Sequence, residues 1–430
     1  MARSSFRLPD IQELNKDQRN ALSLPNEGRH LIVGGPGTGK SVVALARARK
    51  LKKEKASYLF LVYNNLLDTY GKDLTEKELK TKTYIKWFKR SFKEWFGVPL
   101  PEAPYEVKRN DRVLEYDSKE GFPDKPEQGE EKSVYYAKDT EIFYEWFRNR
   151  YTEKFRDIDW AAIEGLNPKQ DMNFDTSLYL IIDEGQDMPK EFYSTLIRVG
   201  FENFYVVADQ NQRITEHNSN IKELRKVLVI EKNEVIELKK NYRNTRSIAL
   251  LAKHFCTNDP GSPPIDLPDK EKNPRTPVLR KYSSSEANTL YEDILKMWDR
   301  NTDKLIGIIT HLNNTRKAFI HGIENSEVDL DHEMPEIQTY SSSDGRTAVN
   351  FRDGGIMVIN QPSCKGLEFD IVILADIDDH WAHSKDGLMK KFYVMVSRGR
   401  DEVTLLRKGN ARPEVERIMP AVGSKILERV

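Results

Sequence analysis

Val33-Gly34-Gly35-Pro36-Gly37-Thr38-Gly39-Lys40-Ser41 is the stretch from which the rest of this chain can be read. It fits the pattern G-x-x-x-x-G-K-[ST], running from Gly34 to Ser41. Leu31-Ile32-Val33 before it has the apolar run of a buried strand, and Val42 to Ala46 after it the start of a helix. A chance glycine-rich turn has no need of either flank. In that setting Gly35, Pro36, Gly37, Thr38 and Gly39 form a loop whose backbone N–H groups face phosphate oxygens. The helix N-terminus adds its partial positive charge. Lys40 is placed to reach the β- and γ-phosphates, and Ser41 to offer its hydroxyl to Mg²⁺, so ATP with Mg²⁺ is the expected cofactor.

The chain has 430 residues, enough for two or three domains. At 38% hydrophobic and 32% charged it reads as globular with a charged surface. No apolar run approaches the ~20 residues needed to cross a bilayer, and Met1 to Leu8 lacks a signal core. Cys256 and Cys364 make neither a disulfide framework nor a zinc site. A cytoplasmic location without membrane contact is expected. The 68 basic and 68 acidic residues cancel, so any nucleic-acid contact must come from a local patch.

Working outward, Gln18 lies one helix and one turn before the loop, and its amide can pair with both edges of adenine. Tyr58 to Tyr63 is a second apolar strand ending at Asn64-Asn65. Lys80 to Lys93 holds six basic residues, four aromatics and no acid, a composition suited to a single strand. Ile85, Phe88, Phe92 and Trp95 fall near helical spacing and suit a core, leaving Thr83 and Tyr84 for contact. Pro99 to Pro126 reads as an irregular insertion, and Glu141 to Phe155 as an amphipathic helix. Leu178 to Ile182 is a buried strand that delivers Asp183 and Glu184 at its tip. Asp183 is placed to hold Mg²⁺, and Glu184 to polarise the attacking water. Further strands end near Asp209 and Gln212, and at Tyr242 and Arg243. Gln212 and Arg243 are candidates for sensing the γ-phosphate, and Tyr242 for stacking on the base. Strands alternating with helices, twice over, predict an α/β protein with two parallel-sheet lobes.

Together these stretches resemble the UvrD/Rep-like superfamily 1A helicases, in the family's order between Leu14 and Leu406. The resemblance implies two RecA-like parallel-sheet lobes with a mostly helical insertion in the first. The first lobe is expected over residues 1–69 and 169–232, the insertion over 70–168 and the second lobe over 233–430. Gln18 matches the adenine-reading Gln, Lys40 and Ser41 the phosphate loop, and Asp183-Glu184 the Mg²⁺ and water site. Asp209 and Gln212 match the coupling motif, and Tyr242-Arg243 the Asn-Tyr-Arg motif. Glu368, in Lys365-Gly366-Leu367-Glu368-Phe369, matches the family's nucleotide-side Glu, and Arg398 the arginine finger. Asn64 and His217 stand where the family touches nucleic acid, and with Tyr63, Thr83 and Tyr84 they make up the expected nucleic-acid contacts.

Departures accompany the match. Thr215 and His217 replace an aromatic pair that stacks on bases, and Leu66 replaces a strand-contacting Lys. About 120 residues separate Arg243 from Ser363, too few for the family's large second accessory domain. About 25 residues follow Leu405, too few for a fused nuclease, which suggests a separate nuclease or a repair or defence partner. The resemblance implies an ATP-driven 3′→5′ translocase or helicase on single-stranded DNA. A nucleic-acid-stimulated ATPase switch acting on a partner protein, and an RNA-directed motor, stay open.

Overall fold

The structure is a computed structural model that describes residues 8–62, 65–75, 79–101, 106–109, 112–115, 132–136, 143–147, 158–169, 175–209, 219–257, 266–269, 275–340, 349–382 and 384–430. In chain order the strands are β1 (Arg29–Gly34), β2 (Tyr58–Val62), β3 (Thr81–Thr83), β4 (Glu106–Arg109), β5 (Arg112–Glu115), β6 (Lys132–Tyr136), β7 (Phe143–Phe147), β8 (Tyr179–Ile182) and β9 (Phe204–Ala208). They continue as β10 (Ile236–Leu238), β11 (Val278–Tyr282), β12 (Leu305–Thr310), β13 (Ile337–Tyr340), β14 (Gly355–Asn360), β15 (Phe369–Leu374), β16 (Gly399–Lys408) and β17 (Glu428–Arg429).

Two sheets are wholly parallel, giving a two-lobe α/β architecture consistent with RecA-like lobes. The first has the order β10-β1-β9-β8-β2-β3 and the second β13-β14-β12-β15-β16-β11-β17. Strands covered on both faces read as unbroken apolar runs rather than alternating ones. Every residue of β8, β9, β12, β14 and β15 is buried, as that rule requires. The helices that frame the first lobe include α1 (Lys16–Ser23), α2 (Lys40–Lys53), α3 (Asn65–Leu74) and α4 (Tyr84–Phe96). One core cluster joins the lobes, because Leu66 and Leu67 of α3 share it with Phe351 and Leu367 of the second. Among the described residues no helix is long and apolar enough to cross a membrane.

Two expectations are corrected. Ile236–Leu238 pairs parallel with β1, so the first sheet extends past residue 232 and the chain crosses over only after Leu238. A three-residue edge strand carries too little pattern to reveal its sheet. Phe143–Phe147, expected within a helix, is a strand paired antiparallel with β4 and β6, and β4 pairs with β5. The described part of the insertion is therefore mixed, with strands beside its helices, rather than mostly helical. Aromatic residues favour strands, and the four in Phe143–Phe147 fit either period.

Candidate active site

The phosphate loop turns through two left-handed glycines, Gly37 at φ 73° and Gly39 at φ 88°. A Cβ on Gly37 would lie 2.1 Å from Asn241 Oδ1, and one on Gly39 2.4 Å from Gln18 Nε2. Only glycine fits at either place. Lys40 opens α2 and is buried. Its ammonium donates to the Gly35 carbonyl at 2.8 Å and pairs with Asp209 Oδ2 at 3.3 Å. Gln18 is fixed at both ends of its amide: Nε2 donates to the Thr38 carbonyl at 3.0 Å, and Oε1 accepts from Asn15 N at 3.0 Å.

The tip of β8 brings Asp183 and Glu184 beside the loop, both buried. Glu184 holds φ 52°, a left-handed conformation unusual for a side-chain-bearing residue and one that clusters at functional sites. Gln186 Nε2 donates to Glu184 Oε2 at 2.7 Å, while Gln186 Oε1 accepts from Asp209 N at 2.9 Å. One amide thus ties the tip of β8 to the end of β9. Burial, then the Glu184 charge, pushes the Asp183 carboxyl up to about 7, opposed by a hydrogen bond with Ser41. Burial also pushes Glu184 upward, but Lys365, Lys40 and Gln186 outweigh it, and Glu184 titrates below its ordinary value. The two carboxyls are driven apart, with the proton favoured on Asp183.

The facing wall comes from the segment after β10 and from the second lobe. A cavity of about 410 Å³ is lined by Gln18, Gly37, Lys40, Ser41 and Glu184 on one side and by Tyr242, Arg243, Glu368, Arg398 and Arg400 on the other. Tyr242 N donates to the Gly37 carbonyl at 2.8 Å, and its hydroxyl accepts from Asn15 Nδ2 at 2.8 Å. Tyr242 is 48% exposed, and the Lys240 ammonium lies 5.4 Å from its ring centroid. Arg243 pairs with Glu368 and donates to the Ser397 carbonyl at 3.3 Å. Burial pushes the Glu368 carboxyl up, but Arg243 and Arg400 outweigh it and leave it below its ordinary value. Arg398 is 1% exposed and held by the Val394 carbonyl at 2.9 Å. Burial, then the neighbouring Arg243 charge, loosens its hold on its proton. The buried Arg398 and the half-buried Arg243 thus line a cavity that Lys40 also lines, an arrangement suited to a polyanion.

Gln212, Tyr63, Asn64 and His217 lie outside the described residues. Thr83 and Tyr84 do not form the expected contact edge: they are 7% and 0% exposed, and the Tyr84 ring packs toward Phe192 with centroids 6.4 Å apart. Tyr84 opens the apolar face of α4, so it follows Trp87, Phe88, Phe92 and Trp95 into the core. Gln186, Asn15 and Arg400 were missed. Gln186 lies inside Asp183-Glu184-Gly185-Gln186-Asp187, two residues beyond Glu184, and Arg400 sits two residues beyond Arg398.

Residues 18–218 match a family model described as an AAA domain. That span runs from Gln18 through the phosphate loop and the two acids to the region after Asp209. Among curated proteins none matches. One solved structure, the C-terminal domain of a possible DNA helicase from Lactobacillus plantarum WCFS1, is similar at 19% identity and a TM-score of 0.32, over 44% of this chain and 98% of that one.

Proposed function

We propose that the chain is an ATP-dependent translocase or helicase on single-stranded DNA, with the 3′→5′ polarity that its resemblance implies. One observation carries the reading: Arg243 and Arg398 line the same cavity as Lys40 and Glu184, although distant stretches of chain supply the two walls. Gln18 and Tyr242 hold the base, the loop from Gly35 to Ser41 cradles the phosphates, and Lys40 binds their outer charge. Glu184 orients and deprotonates the attacking water. Arg243 and Arg398 meet the γ-phosphate charge, which draws the lobes together; hydrolysis removes that charge and releases them. Glu368 keeps Arg243 aimed into the cleft.

Ser41 and Asp183 are the chain's candidate donors for Mg²⁺; Ser41 lines the cavity and acts on the Asp183 carboxyl closely enough to oppose its upward shift. Among the described residues no group of three or more His, Cys, Asp or Glu could hold a metal ion, so phosphate oxygens and water would complete the shell. When bound, the ion supplies positive charge for the phosphoryl oxygens. It would also displace the proton that burial favours on Asp183.

Support for the nucleic-acid side comes from α4 and the strand before it. With its rings turned inward, Lys82, Lys86, Lys89, Arg90 and Lys93 are left exposed. Such a row can track phosphates without reading bases. The burial of Tyr84 favours a second reading, an ATPase switch stimulated by nucleic acid that acts on a partner protein without unwinding. ATP turnover measured alone, with single-stranded DNA and with single-stranded RNA, followed by strand displacement on tailed duplexes, separates these readings. Stimulation by DNA together with displacement is expected. Stimulation without displacement identifies the switch, and stimulation by RNA alone identifies the RNA motor. Lys40→Ala and Glu184→Ala should each abolish turnover, and retained turnover in either overturns the site.

A further inference from the structure

We propose that Asp187 and Lys365 form a clasp between the lobes that positions Glu184, so that its integrity governs the rate of ATP hydrolysis rather than nucleotide affinity. The inference rests on the ATPase reading above. Asp187 ends the tight turn Gly185–Asp187 that directly follows Glu184. Its backbone N–H donates to the Glu184 carbonyl at 2.8 Å. Lys365 comes from the second lobe, in the stretch between β14 and β15, three residues before Glu368. The Lys365 ammonium meets Asp187 Oδ1 at 2.5 Å, with side-chain exposures of 4% and 2%.

A pair so removed from water is weak evidence of stabilisation, because desolvation offsets most of its attraction. What it does provide is a fixed separation between its two ends. The surroundings are built to the same separation. Gly366 holds φ +80°, and a Cβ there would lie 2.4 Å from Leu67 Cδ2 of α3. The Tyr70 ring of α3 meets Phe351 edge-on, with centroids 5.2 Å apart at 82°. Leu67 and Phe351 are both buried. The connection therefore runs from Glu184 through its own turn to Asp187, across to Lys365, and along three residues to Glu368 and its partner Arg243. The phosphate loop's contacts with Gln18, Asp209 and Tyr242 involve neither Asp187 nor Lys365, so they remain when the clasp is lost. Its loss frees the turn that carries Glu184 and the loop that carries Glu368.

The test uses the full chain with Asp187→Asn, Lys365→Met and the double variant. Each single variant strands one member of the pair, and a drop in thermal stability is expected. The double variant removes both charges and should unfold within about 3 °C of the parent. Displacing a reacting group by about 1 Å costs on the order of 10²-fold, so the double variant should lose about 10- to 100-fold in kcat with little change in KM for ATP. Energy transfer between dyes at Lys53→Cys and Lys317→Cys, in a Cys256→Ser background, reads the lobe separation without any turnover. A wider or broader distribution is expected in the double variant. Parental kcat, a loss confined to KM, or an unchanged distribution each overturns the clasp. If the parent itself hydrolyses no ATP, the functional reading fails, and the dye distances alone decide whether the clasp exists.

Discussion

At the scale of single residues, the cleft is a set of side chains whose charges burial has made consequential. Asp183 and Glu184 share one strand tip but are pushed in opposite directions, because Glu184 faces Lys365 and Lys40 while Asp183 faces Glu184. The same physics acts at His380, which is not among the residues lining the cavity. It is 1% exposed, and neither ring nitrogen has a hydrogen-bond partner among the described residues. Burial, then His311 and Lys391, holds its pKa well below the ordinary 6.5. The native ring therefore stays neutral where the unfolded chain takes up a proton. Its contribution to stability is present above about pH 6.5 and is lost as the pH falls toward the folded value. His311, also lowered, adds to the same slope. Chemical unfolding across pH 4 to 7 should show a slope that His380→Phe reduces, by up to about 1.4 kcal/mol per pH unit in the window between the two pKa values. An unchanged slope would show that His380 does not titrate on unfolding.

At the scale of elements, α4 shows how one helix divides its residues between two tasks. Its buried face carries Tyr84, Trp87, Phe88, Phe92, Trp95 and Phe96, and Gly97 ends it in the left-handed conformation at φ 76°. Its outer face is cationic. Binding of labelled single-stranded DNA by a variant with Lys86→Gln, Lys89→Gln and Lys93→Gln should show a log–log salt slope shallower by about 2. Stability should stay within about 0.5 kcal/mol of the parent, because the positions are exposed. An unchanged slope would mean that α4 meets no phosphates. The sequence was legible where a local pattern suffices. The strand before Gly34, the loop, α2 and the acids after Ile182 each carry their own signal within a dozen residues. The burial of Tyr84 is not legible in the sequence, because it depends on which way α4 faces, and helical spacing alone does not fix where the apolar stripe begins. Ile236–Leu238 was assigned to the wrong sheet because pairing with β1 is a tertiary fact. Gly366 against Leu67 was invisible for the same reason: neither residue signals the other across roughly 300 positions of chain.

At the scale of the molecule, two parallel sheets face each other across a cavity, and three kinds of contact hold them. A shared apolar core joins α3 to Phe351 and Leu367, the buried pair Asp187–Lys365 crosses near the acids, and the segment Lys239 to Thr245 passes between the sheets along the phosphate loop. That segment also anchors the second lobe, since Asn244 Nδ2 donates to the Ser397 carbonyl at 3.2 Å and Thr245 N to the Arg400 carbonyl at 2.9 Å. A change at the phosphates therefore has short routes to the far sheet. The most direct test of this arrangement is to measure ATP turnover and the binding of a fluorescent ATP analogue on the same Arg398→Ala protein. An arginine finger is worth about 10³ to 10⁵ in rate, so turnover should fall by at least about 10³-fold while the analogue still binds. Turnover near the parental rate would contradict the account, because the nucleotide would then be hydrolysed without the second lobe.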